Sequence, residues 1–491
     1  MAMKPAMLES AGHAAMPGRA VYVQGVGAVT ALGKSWPATQ AALAQGQSAI
    51  GPVTRFDVRG FPCTVAAAIP DFEDGGDRRL VLTRMAALEA WRAAGLPEPE
   101  TAASQPQAHT GERAASPQAS RFSLPQASGS DQSSLDSLCS NNVLSVQPGR
   151  LVSRPYMGSG LGLDLPPPQR IGIFLGAESG RAPFATLHAL TRAAGGGAQF
   201  DHARFGQQAR ALAHQFDAGI TSPAAVTAIL AREFGALGPA QTLSLACSSS
   251  ASAILEAARA IRLGVCDLAL CGGAGADIDP LMLAGFGRLG ALSERGISCP
   301  FDVRRDGFVV GEGAAMLVLS SQRGAATVEL AGEGRSLDAH HLTAPDPDGA
   351  GAMRAMRAAL AMARVNAVNY IQAHGTSTPL NDAIEAQALQ RVFGVQLARA
   401  KVSSVKGALG HWIAGAGALG FLCAHSAVAD GIWLPTANLR QPDPACDLPH
   451  LLPEVTPGRG GLAPAKDCET ALVNAFAFGG ANCSLVLRRC A

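Results

Sequence analysis

The chain has 491 residues, 48% hydrophobic and 16% charged. That length exceeds one simple core and predicts two packed halves or domains with ample apolar surface to bury. Thirty-nine Lys and Arg against 38 Asp and Glu leave a formal net charge of +1, a balance that argues against nucleic acid or a membrane surface as partner while leaving room for a local basic patch facing an acidic protein.

Residues 1–20 hold no continuous apolar stretch, and no run of about 18 apolar residues occurs, so neither a signal peptide nor a spanning helix is expected. The 11 cysteines are odd in number, scattered and without a Cys-x-x-Cys pair. That pattern fits free thiols in a reducing cytoplasm better than a disulfide scaffold. Cys266 and Cys271 share an apolar stretch and read as inert core thiols.

From the N-terminus, "AVYVQGVGAVTALG" (20–33) reads as a strand, a glycine turn and then a helix beginning near Trp36. Gly25 and Gly27 invite a dinucleotide fingerprint, but position 30 is Thr, so the spacing is wrong. Residues 82–94 have helical spacing and end at Gly95. From 97 to 168 the chain turns rich in Ser, Gln, Pro and Ala, a composition that cannot offset its ordering entropy, and it reads as a disordered surface insertion carrying Cys139. Order resumes with a buried strand at 170–179, a mixed helical region to 235, a strand "AQTLSLA", a helix from Ser248 to Leu263 and a strand "CDLALCGGAG". Next come the strands "AAMLVLSS" and "TVELAGEGRS", a helix (351–364), a strand (368–373), a helix (381–393), a strand (401–405), a helix (413–429) and the strands "TALVNAF" and "NCSLVLRR". Strands alternating with helices predict α/β layers. The two stretches "VYVQGVGAVT" and "VELAGEGRSL" look like equivalent starts of two halves.

Cys247 falls where the strand "AQTLSLA" becomes a helix of small residues. A helix N-terminus favours thiolate over thiol and offers N–H groups to an oxyanion. Ala246, Ser248 to Ser250 and Ala251 leave room for a bulky thioester. Three later stretches supply partners. "NYIQAHGTSTPLNDAIEAQA" puts His374 at a strand end beside a polar loop. "KVSSVKGALGHWIAGAGALG" puts Lys406 and His411 around a glycine turn. "VNAFAFGGANCSLVL" puts two aromatics and two glycines between strands. Strand ends beside glycine loops are where α/β proteins keep their chemistry.

With "ACSSSASAI", "CGGAGADIDPLMLAGFGRLGALS", "CPFDVRRDGFVVGEGAAMLVL", "AHGTSTPLNDAIEAQAL", "VSSVKGALGHWIAGAGALG" and "NAFAFGGANCSLVL" in this order, the sequence resembles the elongating β-ketoacyl-acyl-carrier-protein synthases, thiolase-fold condensing enzymes. The resemblance runs from about 20 to 488, interrupted by the insertion. It implies a thiolase-like α/β fold of two duplicated halves in an αβαβα arrangement, 20–325 and 326–491, after a flexible N-terminus. It implies a nucleophile at Cys247, histidines at His374 and His411, and a supporting Lys406 whose partner is Glu385. Thr376 and Thr378 would touch the phosphopantetheine arm, Phe478 would gate the site ahead of Gly479 and Gly480, and Phe286 would line the acyl pocket. The amides of Cys247 and Phe478 are the oxyanion candidates. Neutral imidazoles would stabilise the enolate left when malonyl-carrier protein loses CO2, and no metal or cofactor is implied.

The same resemblance implies acyl carrier protein as partner and a homodimer, with the buried strand "TLSLA" as an interface edge; a heterodimer with a related subunit stays open. Arg78, Arg79, Arg84 and Arg288 are the candidates for a basic docking surface, Arg288 being offset from the usual arginine. Three rivals compete. A thiolase would carry a second working cysteine in a Cys-x-Gly setting, whereas Cys483 is followed by Ser and Leu. Initiating, acyl-CoA-using enzymes place Asn where this chain has His411. A chain-length-factor-type subunit lacks the nucleophile that Cys247 supplies. Whether the pathway is fatty-acid elongation or a polyene or polyketide route stays open.

Overall fold

The computed structural model describes residues 18–70, 77–99, 163–212, 218–453 and 468–491, all within one compact unit. In chain order these are β1 (Tyr22–Thr30), α1 (Trp36–Ala44), β2 (Gly51–Pro52), β3 (Val65–Ala66), α2 (Arg78–Ala93), β4 (Ile171–Gly176), α3 (Phe184–Ala193), α4 (His202–Ala211), α5 (Ala225–Glu233), β5 (Ala240–Leu243), α6 (Ser249–Arg262), β6 (Leu268–Ala276), α7 (Pro280–Arg288) and β7 (Glu312–Ser320). Then follow β8 (Val328–Leu337), α8 (Ala350–Ala363), β9 (Tyr370–Gln372), α9 (Pro379–Phe393), β10 (Lys401–Ser403), α10 (Lys406–Leu409), α11 (Ala416–Ala429), β11 (Thr470–Phe476) and β12 (Ala481–Arg489).

Ten strands form one sheet in the order β10-β9-β11-β12-β8-β1-β7-β6-β4-β5. Outward from the β8–β1 seam the two sides repeat the same connectivity. β1 is antiparallel to β7, β7 to β6, and β6, β4 and β5 run parallel. Likewise β8 is antiparallel to β12, β12 to β11, and β11, β9 and β10 run parallel. The seam pairs Tyr22 with Glu329 and Val23 with Val328.

Helices complete the layers. α2 packs on β1 and β7, and α8 packs on β8 and β12. Between the two half-sheets lie α6 and α11, which touch each other and strands of both sides. Each interlayer space is a separate apolar core. The middle one holds Ile254, Ile261, Trp412, Leu419 and Leu485; one outer core holds Leu82, Trp91 and Ile173; the other holds Met356, Ile371 and Leu389. This is the expected αβαβα arrangement. Strands β6 and β7 are buried almost throughout because helices cover both of their faces.

Three local readings need correction. Gly25 and Gly27 do not make a turn; they lie within β1. A Cβ there would stand 2.2 Å from the Ala90 carbonyl oxygen and 2.3 Å from that of Ala86, so glycine lets α2 lie directly on the strand. Gly332 and Gly334 of β8 do the same beneath Ala359 and Ala355 of α8, at 2.1 Å each, which is the physical content of the two similar half-starts. The strand at 240–246 is shorter than expected and is not buried: β5 ends at Leu243 as a partly exposed edge strand, paired among the described residues with β4 alone. The insertion expected at 97–168 lies outside the described residues except for its margins. There the Pro97 carbonyl accepts the Trp91 indole N–H at 2.7 Å and Leu163 is buried in an outer core. No described helix is long and apolar enough to cross a membrane.

Candidate active site

The nucleophile candidate sits in a one-turn 3-10 helix, Ala246–Ser248, joining β5 to α6. Ala246 has φ 47°, a left-handed conformation that a side chain disfavours. Ser249 holds the bend: its hydroxyl accepts from the Leu245 amide at 2.8 Å and donates to the Ala246 carbonyl at 2.6 Å. The second half repeats the device. Ile413 has φ 46°, a 3-10 turn covers Ile413–Gly415, and α11 follows. The two helix starts are pinned together where the Ala418 amide donates to Ser250 Oγ at 2.9 Å.

His411 lies just before that second bend. Its Nδ1 accepts the Ile413 amide at 3.1 Å, so the neutral ring carries its proton on Nε2. That Nε2 is buried and has no hydrogen-bond partner among the described residues. It is a donor awaiting an acceptor.

His374 follows β9 on a loop built by two buried carboxylates one turn apart on α9. Glu385 accepts from the His374 and Gly375 amides at 2.9 and 2.8 Å and from Asn474 Nδ2 at 3.1 Å. Asp382 accepts from the Thr376, Ser377 and Phe301 amides at 2.9, 3.1 and 2.9 Å. Lys406 Nζ donates to the His374 carbonyl. The tight loop, with Ser377 at φ 69°, is thus held at nearly every polar atom.

Cys247 Sγ and ring nitrogens of His374 and His411 come within 4.8 Å of one another. Such a trio raises the question of a metal. The free nitrogen of His411 presents a proton, not a lone pair, so the group fits a carbonyl oxygen and not a cation. Burial first, then the Lys406 charge, holds both imidazoles well below the usual histidine range; His374 is lowered further by His411. Both rings are therefore neutral donors or acceptors. Burial also lowers Lys406, with the Glu385 charge acting against it. Glu385 and Asp382 are themselves raised by burial and restrained by the amides they accept.

The thiol departs from expectation. Burial pushes Cys247 up to about 11, outweighing Lys406 and the amides of Phe478 and Cys247 that favour thiolate. A helix N-terminus does not by itself ionise a sulfur removed from water. The amide geometry nevertheless holds, since the Phe478 N–H is aimed at the sulfur.

These groups open on a cavity of about 730 Å³ that also receives Thr376, Thr378, Phe286 and Phe478. The Thr376 and Thr378 hydroxyls are 2.9 Å apart. Phe308 packs edge-on to Phe286 at 5.3 Å and to His411 at 5.2 Å between ring centres.

Comparison with known proteins bears on what this arrangement is. Residues 159–325 match the model of the β-ketoacyl synthase N-terminal domain, and 327–440 that of the β-ketoacyl synthase C-terminal domain. A 3-oxoacyl-[acyl-carrier-protein] synthase 2 of Coxiella burnetii is 30% identical over 487 residues, covering 96% of this chain and 99% of that protein. The chain belongs to the β-ketoacyl synthase family. A 3-oxoacyl-[acyl-carrier-protein] synthase 2 of Synechocystis is 39% identical over 274 residues, 53% of this chain and 64% of that protein; the chain thus spans less than two thirds of that relative. The crystal structure of a β-ketoacyl synthase from Burkholderia phymatum, 28% identical, aligns with a TM-score of 0.68 over 96% of this chain and all of that one.

Within this family member, several site readings shift. Gly479 and Gly480 do not line the cavity; with φ 82° and 78° they make the turn that aims the Phe478 amide. Glu385 makes no direct ion pair with Lys406 among the described residues; it acts on the lysine through space while its oxygens hold backbone amides. The docking arginines are largely spent inside the fold. Arg78 and Arg55 both pair with the fully buried Glu312. Arg79 is buried, pairs with Asp77 at 2.6 Å and donates to the Ile220 carbonyl at 2.6 Å. Arg84 pairs with Glu233. Arg288 is exposed at the end of α7. Cys483 is buried in β12, away from the chemistry.

Sequence reasoning missed Asp382, Glu178 and Ile413. Glu178 stands two residues past the buried strand β4 and Asp382 in the first turn of α9, signals that could have been read; the strained φ of Ile413 has no signature in an isoleucine.

Proposed function

We propose that this chain is an elongating 3-oxoacyl-[acyl-carrier-protein] synthase that joins an acyl group held on Cys247 to malonyl-acyl-carrier protein. The observation that carries the reading is the buried, unpartnered Nε2–H of His411 beside Cys247 and a neutral His374. A donor of that kind matches a thioester carbonyl on which negative charge develops.

In the first step Cys247 sulfur attacks the acyl thioester, the carbonyl oxygen lies toward the Cys247 and Phe478 amides, and the carrier thiol departs with the proton Cys247 gives up. In the second, malonyl-carrier protein places its thioester oxygen at His374 and His411. The bond to the carboxylate breaks, CO2 leaves, and the electron pair becomes an enolate held by the two imidazoles. In the third, the enolate carbon attacks the acyl carbonyl, the bond to sulfur breaks, and Cys247 leaves as thiolate to regain a proton. Burial, with the Lys406 charge adding to it, keeps the imidazoles neutral; Thr376 and Thr378 stand where a phosphopantetheine arm would run.

The names of the relatives support acyl carrier protein as partner. Ten free cysteines among the described residues suit a reducing cytoplasm. The exposed edge of β5 suits a dimer interface, homodimeric or with a related subunit. Segments 20–325 and 326–491 are the two halves of a duplication, a reading that the repeated strand connectivity supports. The retained nucleophile argues against a chain-length-factor role. Pathway, fatty acid or polyene and polyketide, follows from acyl preference.

Intact-mass measurement after incubation with acyl-carrier proteins of several chain lengths tests this. One acyl mass should appear on the wild type and none on Cys247→Ala, and only the wild type should then form 3-oxoacyl product from malonyl-carrier protein. Extension by Cys247→Ala would overturn the mechanism.

A further inference from the structure

The cavity carries a charge beside the nucleophile that the steps above do not use. Glu178, just past β4, lines the cavity together with Cys247. Its carboxylate accepts from Ser244 Oγ at 3.0 Å and lies 3.4 Å from Ser249 Oγ, whose proton goes to the Ala246 carbonyl, and no cation pairs with it among the described residues. The nearby Arg181, also in the cavity wall, is taken up by Asp277 and Asp279 at 2.7 and 2.8 Å. Ser244, just past β5, and Ser249, at the start of α6, flank Cys247 in sequence, so the carboxylate that Ser244 holds and Ser249 adjoins stands beside the head of the acyl chain and not at its tail.

A carboxylate has about four lone-pair sites, and one serine hydroxyl fills only part of them. Water fills the rest when no acyl group is bound. An acyl chain that enters displaces that water, and the apolar part of the cavity lining, Met282, Phe286 and Ile413 among it, has no side-chain donor to replace it. A saturated chain would therefore leave a desolvated acceptor, while a hydroxyl would donate a charge-assisted hydrogen bond.

We propose that Glu178 makes the site select acyl groups bearing a hydroxyl within a few carbons of the thioester over their saturated counterparts. The proposal rests on the synthase reading and names its substrate class. The expected preference is roughly ten- to a hundredfold, the range of one hydrogen bond to a charged group.

The test compares rates of Cys247 acylation, read by intact mass, from butyryl- and 3-hydroxybutyryl-loaded carrier protein. Wild type should load the hydroxylated group at least about tenfold faster. Glu178→Gln, which keeps size and an acceptor oxygen, should reduce the ratio, and Glu178→Leu should remove or invert it. Equal loading of both groups by wild type, or an unchanged ratio in folded Glu178→Leu, overturns the proposal and leaves the synthase reading standing. Failure of every acyl group to load Cys247 overturns both.

Discussion

Lys406 Nζ donates to the backbone carbonyl of His374, placing an ammonium at the root of one imidazole and within electrostatic reach of the other. The lysine is fully enclosed, and the buried carboxylate of Glu385 opposes the loss of its charge. Both imidazoles are thereby biased toward the neutral form that an enolate-stabilising donor requires.

Replacing Lys406 with Met should move the acid limb of malonyl decarboxylation to higher pH. The folded-state histidine values are lowered, so the rings stay neutral as pH falls through the range where a free imidazole would charge; removing the cation lets them protonate earlier. Burial is the larger cause and remains, so the shift is partial. The same variant leaves the buried His374 carbonyl without the lysine's hydrogen bond, which should cost about 1–3 kcal/mol in unfolding free energy. CO2 release against pH and a denaturant titration read the two effects separately, and an unmoved acid limb would exclude the coupling.

His411→Ala removes the orphan Nε2–H. Malonyl decarboxylation should fall by roughly 10²–10³, as for loss of one oxyanion donor. Acyl transfer to Cys247 uses the amides instead and should fall far less. Parallel assays of CO2 release and enzyme acylation check this; equal losses in both would count against the division of labour.

With its thiol near 11, free Cys247 should react with iodoacetamide at a rate that climbs steadily from pH 7 to 10, because the thiolate fraction rises about tenfold per unit below the pKa. Peptide mapping of the labelled site gives the profile. A plateau reached near neutrality would mean that the sulfur is already ionised in the resting protein.

Charge reversal separates structural from surface arginines. Arg79→Glu sets two carboxylates side by side at Asp77 and removes the guanidinium's hydrogen bonds to the Ile220 and Glu178 carbonyls, so stability should drop by roughly 3–5 kcal/mol and turnover should suffer equally with carrier-bound and small thioesters. Arg288→Glu, at an exposed helix end beside the cavity, should leave the melting temperature within a degree or so while raising KM for carrier-bound substrates alone. Melting curves and KM values with both substrate types distinguish the two.

The order of most strands and helices, Cys247 and His374 after strands, and Lys406 and His411 around a glycine turn were legible in the linear pattern, because side-chain periodicity and small-residue turns act over a few neighbours. What a charged residue does was not. Arg79 reads as a surface arginine until the fold brings Ile220 to it, and the glycines of β1 read as a turn until α2 is laid on them. The proton position on His411 depends on one backbone amide two residues on, in a bend whose φ nothing in an isoleucine announces. The protonation of Cys247 was likewise decided by enclosure, since burial outweighs the helix-end amides only once both halves close over the sulfur. Burial and hydrogen-bond partners come from residues far apart in the chain, and only the folded structure sets them.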